Sequence, residues 1–271
     1  MDYESRSEAV GICGALKMPV RVHVVGRPQF DLEAFIAFLD AAGTRWRRSA
    51  GAKEAEELVE AAGRICYMSF GRAQSNRSNG DYIQNLIAMG HESVLEHVNW
   101  SFVISGITRA LSHQLVRHRV GFAFSQLSQQ YHDESDAEFV MPSEIEDHAQ
   151  AAAIWKGAVN TAKEAYGKIL RLLEESNQIS GPVENHREIR RAIRSAARSV
   201  LPGCTETTVF TTINARALRH FLTVRGGIAG DREMRELSVE LLSAVTKEAP
   251  SIFFDFEIAQ LADGTRTVRK I

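Results

Sequence analysis

The sequence predicts a mixed fold of the α/β (α+β) kind. Three observations carry this: stretches in which apolar and polar residues alternate, longer stretches with apolar residues at helical spacing, and turn-forming residues between them. Val20, Val22 and Val24 alternate with Arg21 and His23 as in a half-buried strand ending at Gly26-Arg27-Pro28. Ahead of it, residues 1–18 read as an irregular arm, which leaves 19–271 as a single domain. Ala52, Ala55, Leu58, Val59 and Ala62 keep a helical spacing, whereas residues 71–81, rich in Ser, Asn, Gly and Arg, read as a mobile surface loop. Val98, Trp100, Phe102 and Ile104 then restore period two, and Gly106 leads into a helix from about 108 to 118.

A long helix is expected from about 151 to 175, with Ile154, Ala158, Ala162, Ala165, Ile169 and Leu172 or Leu173 on its packing face. After the Ser180-Gly181-Pro182 break a second helix runs to about Val200 and stops because Pro202 restricts the residue before it. Residues 207–213 contain only Thr, Val, Phe and Ile and read as a strand. Asn214 is placed to cap a helix through about Val224, Gly226-Gly227 break it, and a last helix covers about 232–247.

A chain of 271 residues with 44% hydrophobic side chains has enough apolar material for a sizeable core. A formal charge of -2 argues against a general nucleic-acid binder, so any anion site must come from local clustering. Cys13, Cys66 and Cys204 form neither a disulfide framework nor a zinc motif. The acidic residues ahead of the short apolar stretch 10–16 do not resemble a signal peptide, and no apolar run approaches the ~18 residues of a membrane span. A cytoplasmic protein without membrane or nucleic-acid partners is expected.

The local clustering is found at Arg117-His118-Arg119, followed by Ser125-Gln126-Leu127-Ser128-Gln129-Gln130-Tyr131. Guanidinium forks match phosphate oxygens, and hydroxyls and amides add short neutral hydrogen bonds around the same anion. A phosphorylated, ring-bearing ligand fits that chemistry. Arg187, Arg190, Arg191, Arg194 and Arg198 recur at helical spacing; a solvated face paired with nearby acids is the expectation, with Arg198 separable at the helix end. His91, His97, His113 and His118 lack zinc-site spacing, so no metal is expected. Cys204 has no close basic neighbour in sequence to lower its pKa and is expected to be inert. Neither GxGxxG nor GxxxxGK[ST] is present.

These residues carry a resemblance. Arg-His-Arg followed after a spacer by Ser, together with Gly90-His91-Glu92-Ser93-Val94-Leu95-Glu96-His97, Arg198-Ser199-Val200-Leu201-Pro202, Asn214-Ala215-Arg216 and His220-Phe221-Leu222-Thr223-Val224-Arg225, resembles the flavin-dependent thymidylate synthase family in block order. The resemblance implies a mainly antiparallel mixed sheet flanked by long helices, one catalytic domain over 19–271, and a homotetramer. It implies FAD as cofactor, with methylenetetrahydrofolate as carbon donor and NADPH as reductant. By the same token His91, Ser93, Arg117, His118, Arg119, Asn214, Arg216 and His220 would contact FAD. Gln114, Gln126, Ser128, Gln130 and Arg198 would face the nucleotide, and Arg225 the uracil ring as the catalytic residue.

Three departures touch the nucleotide side. Counting the family's seven-residue spacer from Arg119 reaches Leu127, so Ser128 fits only with one residue inserted within 120–124. Gln130 stands where the family usually has Arg, and Ala229 where it commonly has His. An amide both donates and accepts, so Gln130 opens the possibility of a ribose 2′-hydroxyl, and UMP joins dUMP as a candidate substrate. The alternative reading is a flavin- and nucleotide-binding regulatory paralogue without turnover.

Overall fold

The computed structural model describes residues 19–177 and 183–271. The expected arm at 1–18 and the Ser180-Gly181-Pro182 break lie outside the described residues. In chain order the elements are β1 (Arg21–Gly26), α1 (Leu32–Ala41), α2 (Glu54–Ile65), α3 (Asn79–Ala88), β2 (Asn99–Thr108), α4 (Arg109–Leu115), β3 (Phe122–Gln126), α5 (Ser143–Glu146), α6 (Ala149–Ser176), α7 (Val183–Ala197), β4 (Glu206–Asn214), α8 (Ala215–Arg225), α9 (Arg232–Thr246), β5 (Phe256–Gln260) and β6 (Arg266–Lys270). The class is α+β. The elements group into two compact units, the larger from Val20–Ile107, Leu111–Gln126 and Thr208–Ile271, the smaller centred on Thr108–Ala110 and Leu127–Thr207.

The larger unit holds a four-stranded sheet in the order β1-β2-β4-β3. β1 pairs antiparallel with β2, and β3 with β4 from Phe122 opposite Ile213 to Gln126 opposite Val209. The period-two residues Val98, Trp100, Phe102 and Ile104 are fully buried with Val209 and Ile213. Leu218 and Phe221 of α8 and Leu237 and Leu241 of α9 belong to the same core. Each such side chain contributes about 1.5–3 kcal/mol through burial. The indole N–H of Trp100 donates to Glu248 Oε2 at 2.9 Å, so the largest core side chain leaves no orphan donor.

Three features of this unit differ from the sequence reading. Residues 79–81 are not loop: Ser78 caps α3 by accepting from the Asp81 N–H, and buried Asn79 donates to Glu60 Oε2 at 2.7 Å and to the Glu56 carbonyl at 3.1 Å. That polar network fixes the end of a segment whose composition alone suggests mobility. α1 was not foreseen, although its cap is plain: Asp31 Oδ1 accepts from Ala34 N–H at 2.9 Å. Also unforeseen is the antiparallel β5–β6 hairpin, which turns through Asp263-Gly264 with Gly264 at a positive φ of 79°.

In the smaller unit α6 and α7 pack through Tyr166, Leu170, Ile193 and Ala197. The buried face of α6 is Val159, Tyr166 and Leu170; the expected Ile169 and Leu173 pack beside it half-buried, whereas Ile154 and Leu172 are 75% and 61% exposed, so the face is turned partly away from the expected one. The expectation leaned on alanines, whose burial carries little free energy. Tyr166 decides the face instead, because its hydroxyl donates to Asp133 Oδ1 at 3.3 Å and accepts from the Glu134 N–H at 3.1 Å.

Candidate active site

α4 ends at Leu115, short of the expected 118. Val116 N–H still reaches Ser112, but Arg117 and His118 bond three residues back, to the carbonyls of Gln114 and Leu115 at 3.3 and 3.1 Å. This tighter turn releases the cationic triplet just beyond a helix C-terminus, where the helix dipole favours positive charge. Arg117 and Arg119 are exposed, whereas His118 is half-buried and lies edge-on to Phe221, ring centroids 5.1 Å apart.

Arg225, the last residue of α8, donates Nε–H to His118 Nε2 at 3.2 Å. A nitrogen that accepts carries no proton, so this bond requires a neutral imidazole. Burial first, then the charges of Arg225 and His220, holds His118 below the ordinary histidine value. The structure thus brings His118, His220 and Arg225 together.

The segment after the cationic triplet, 120–124, turns at Gly121, φ 74°. A Cβ there would lie 2.5 Å from Asn214 Nδ2 and 2.7 Å from Ala217 Cβ, so only glycine allows the chain to pass the start of α8. Asn214 N–H donates to the Gly121 carbonyl at 3.0 Å, and its Oδ1 accepts from Ala217 N–H at 2.8 Å as the helix cap that the sequence suggested. Arg216 pairs with Glu96 at 2.5 Å, which ties α8 to the 3-10 turn Glu92–His97 beside exposed His91 and Ser93. His220 is exposed on α8.

Gln114 donates Nε2–H to Asp231 Oδ2 at 3.2 Å, and Asp231 Oδ1 caps α9 by accepting from Met234 N–H at 3.0 Å. The amide is therefore oriented. Gln126 Nε2 donates to Ser112 Oγ at 3.0 Å. Asp231 went unread in the sequence, although an Asp directly before a helix is a recognisable cap.

The smaller unit carries the remaining nucleotide candidates. Ser128 Oγ accepts from Gln130 N–H at 3.3 Å; Gln130 Nε2 donates to Ser195 Oγ at 3.3 Å, and its Oε1 accepts from Arg191 Nε at 2.9 Å. Arg194 donates to the Tyr131 carbonyl at 2.6 Å. The arginine stripe therefore departs from expectation: Arg187 and Arg190 are exposed, but Arg191 and Arg194 lean on the 128–131 turn through neutral acceptors rather than acids. Half-buried Arg198 lies in the 3-10 turn after α7, near Arg109. Burial lowers the Arg109 pKa and Arg198 adds to this, while Glu134 opposes them. Arg109 was also missed, though a cation on the first residue of a helix stands against the dipole and signals a local role.

Cys204 is half-buried, and burial pushes its thiol pKa up, away from the thiolate that nucleophilic attack needs. Among the described residues no three His, Cys, Asp or Glu side chains gather as a metal-binding group, and no helix is long and apolar enough to cross a membrane. The larger unit's donors suit a dinucleotide: Arg117 and Arg119 are exposed cations with no ion-pair partner among the described residues, and Phe122 and Phe124 stack nearby in sequence at 5.5 Å.

Comparison with known proteins agrees with this chemistry. Residues 50–251 match the family model described as "Thymidylate synthase complementing protein". The chain is 39% identical over 249 residues to a protein of Mycobacterium sp. (strain JLS) named flavin-dependent thymidylate synthase, covering 91% of this chain and 94% of that one. Proteins of the same name from Mycolicibacterium gilvum (strain PYR-GCK) and Mycobacterium bovis (strain BCG / Pasteur 1173P2) are 39% identical over 248 and 250 residues, with the same shares covered.

Proposed function

The chain belongs to the thymidylate synthase complementing protein family, and from that premise we propose that it methylates C5 of the uracil of dUMP reductively, with FAD as cofactor, methylenetetrahydrofolate as carbon donor and NADPH as reductant. It is an enzyme of the flavin-dependent thymidylate synthase type. When bound, FAD supplies the reducing chemistry. Arg117 and Arg119 suit its diphosphate, and His91, Ser93, His118, Asn214, Arg216 and His220 complete the cofactor set.

The observation that carries the reading is the bond from Arg225 to neutral His118. A guanidinium anchored by an uncharged acceptor keeps its full charge for the ligand, whereas a carboxylate partner would neutralise it. In our reading Arg225 steadies negative charge that develops on the uracil ring, which makes C5 nucleophilic without a covalent adduct. Gln114, held by Asp231, orients the base together with Gln126. Ser128 and Arg198 serve the phosphate, and Gln130 stands on the same turn as Ser128.

Ser195 and Arg191 hold both ends of the Gln130 amide, so it is not free to turn toward a ribose 2′-hydroxyl, and the name of the relatives, thymidylate synthase, points to the deoxynucleotide. We therefore take dUMP over UMP. The test is product formation by wild type and Cys204→Ser with each nucleotide: thymidylate from dUMP is expected in both proteins. A preference for UMP would overturn the substrate assignment, and an inactive, folded serine variant would overturn the absence of a thiolate.

A homotetramer is part of the same proposal. It is supported by large apolar side chains standing exposed on the single chain, among them Val120 at 88% and Ile154 at 75%. Light scattering is expected to give four times the 30.1 kDa chain mass; a monomer mass would count against it.

A further inference from the structure

The 128–131 turn and α7 form a device that no single motif announces. Gln130 is a bracket: its Nε2 donates to Ser195 Oγ at 3.3 Å, and its Oε1 accepts from Arg191 Nε at 2.9 Å. The Arg191 guanidinium lies over the Tyr131 ring, 5.5 Å from the centroid. One edge of the fork is thus fixed by the amide and one face is covered by an aromatic ring, a pre-organised state that an exposed arginine does not reach by itself. Among the described residues Arg191 has no carboxylate partner. Its neighbour Arg194 differs, since its charge is felt by Asp133.

The bracket also touches the substrate side. Gln130 N–H donates to Ser128 Oγ, so the amide that holds Arg191 sits on the turn of a proposed phosphate ligand. A cation held at Nε by a neutral amide, with no hydrogen bond from its terminal N–H groups among the described residues, is built to meet an anion supplied from outside.

We propose that Arg191 is a phosphate-binding residue for the nucleotide 5′-phosphate and that Gln130 is its positioning residue, the two together doing what one arginine on the turn would do. This rests on the nucleotide-binding reading above and adds a residue to it. The device explains how Gln130 can be neutral without loss of charge at the turn: the charge is delivered from α7 instead.

The test compares Arg191→Gln, Gln130→Ala and the double variant Arg191→Gln/Gln130→Arg with wild type. The readouts are KM and kcat for dUMP, and dissociation constants for dUMP and phosphate-free deoxyuridine from the flavin absorbance change. Loss of one charged hydrogen-bond donor is expected to weaken dUMP by about 10- to 100-fold in Arg191→Gln, mainly in KM. Deoxyuridine binding should change less than about threefold, since it carries no phosphate to lose the charged hydrogen bond. Gln130→Ala should shift dUMP in the same direction by a smaller factor. The double variant, which moves the guanidinium onto the turn, should recover most of the dUMP affinity.

An unchanged dUMP KM in Arg191→Gln, equal weakening of dUMP and deoxyuridine, or no recovery in the double variant would each overturn the proposal. Flavin content of each variant reports its folding. A wild-type protein that binds flavin but no nucleotide would defeat the nucleotide reading itself and this proposal with it, and the wild-type trace alone identifies that case.

Discussion

Replacing Arg225 with Ala is expected to lower kcat for thymidylate formation by about 10²–10³-fold, the usual cost of removing a donor aimed at developing charge, while FAD stays bound. The cofactor set assigned above does not include Arg225, so the flavin absorbance of the purified variant should match that of wild type. A second signature follows from the bond to His118. The charge of Arg225 is one of the causes, after burial, that hold His118 below the ordinary histidine value, so the variant's His118 should titrate higher in a proton NMR titration. Acidification acts on the same bond in the wild type. Once His118 is protonated Nε2 no longer accepts, and two cations face each other where a hydrogen bond stood.

The sign of the linked stability effect follows directly. The folded His118 value lies below the unfolded one, so the unfolded chain binds more protons in the window between them. Stability from this group is complete above the ordinary histidine value and declines as pH falls through that window to the depressed value. Turnover should decline over the same acid limb. An Arg225→Ala protein with near wild-type kcat would remove Arg225 from the chemistry.

The largest stability effect is expected at Arg219 and Asp255. Arg219 NH1 and NH2 meet the two Asp255 oxygens at 2.6 and 2.7 Å, NH1 also reaches the Ile252 carbonyl, and the guanidinium lies 5.2 Å from the Phe256 ring centroid. Their side chains are only 3% and 10% exposed. This pair joins α8 to the start of the β5–β6 hairpin inside the larger unit. Arg219→Ala removes both short hydrogen bonds to a buried carboxylate and leaves it only the half-exposed Lys270 ammonium at 3.6 Å, and it is expected to cost about 3 kcal/mol. In a protein of this size that lowers the melting temperature by on the order of 10 °C. Burial by itself would raise the Asp255 pKa, but the hydrogen bond and charge of Arg219 outweigh it and the folded value is depressed. Its contribution is therefore present above the ordinary Asp value and lost as pH falls toward the depressed one. Replacing both partners with apolar residues should cost less than either single change, because no lone buried charge remains. A melting temperature unchanged in Arg219→Ala would show the pair to be unimportant.

The fold was legible where burial drives the pattern. Trp100 and Phe102 alternate because one face of β2 is fully buried, and Asn214 announces α8 because a cap leaves its trace in a single residue. Residues 32–41 hid a helix because α1 carries apolar residues on more than one side, with Ile36 and Phe38 exposed, so no single stripe marks it. The β5–β6 hairpin was readable from Asp263-Gly264, whose positive φ at Gly264 is a local turn signal. The face of α6 was legible at Ile169 and Leu173 but not at its centre, because Tyr166 sets the packing there and its partners at 133 and 134 are distant in sequence.

The candidate site divides in the same way. Arg117, His118 and Arg225 stand out as residue types in recognisable blocks, but the bond between His118 and Arg225 joins positions 107 residues apart. No spacing encodes it. Arg191 reads as one more member of a solvated stripe until the Gln130 amide, 61 residues earlier, is seen to hold it.

The most direct measurement is the visible absorbance of the purified full chain, followed anaerobically through addition of NADPH with dUMP and then of methylenetetrahydrofolate. Flavin-dependent methylation predicts a yellow protein whose flavin band bleaches with the reductant and returns as thymidylate forms. A folded protein that holds no flavin, or one that makes thymidylate after its flavin is stripped, would contradict it.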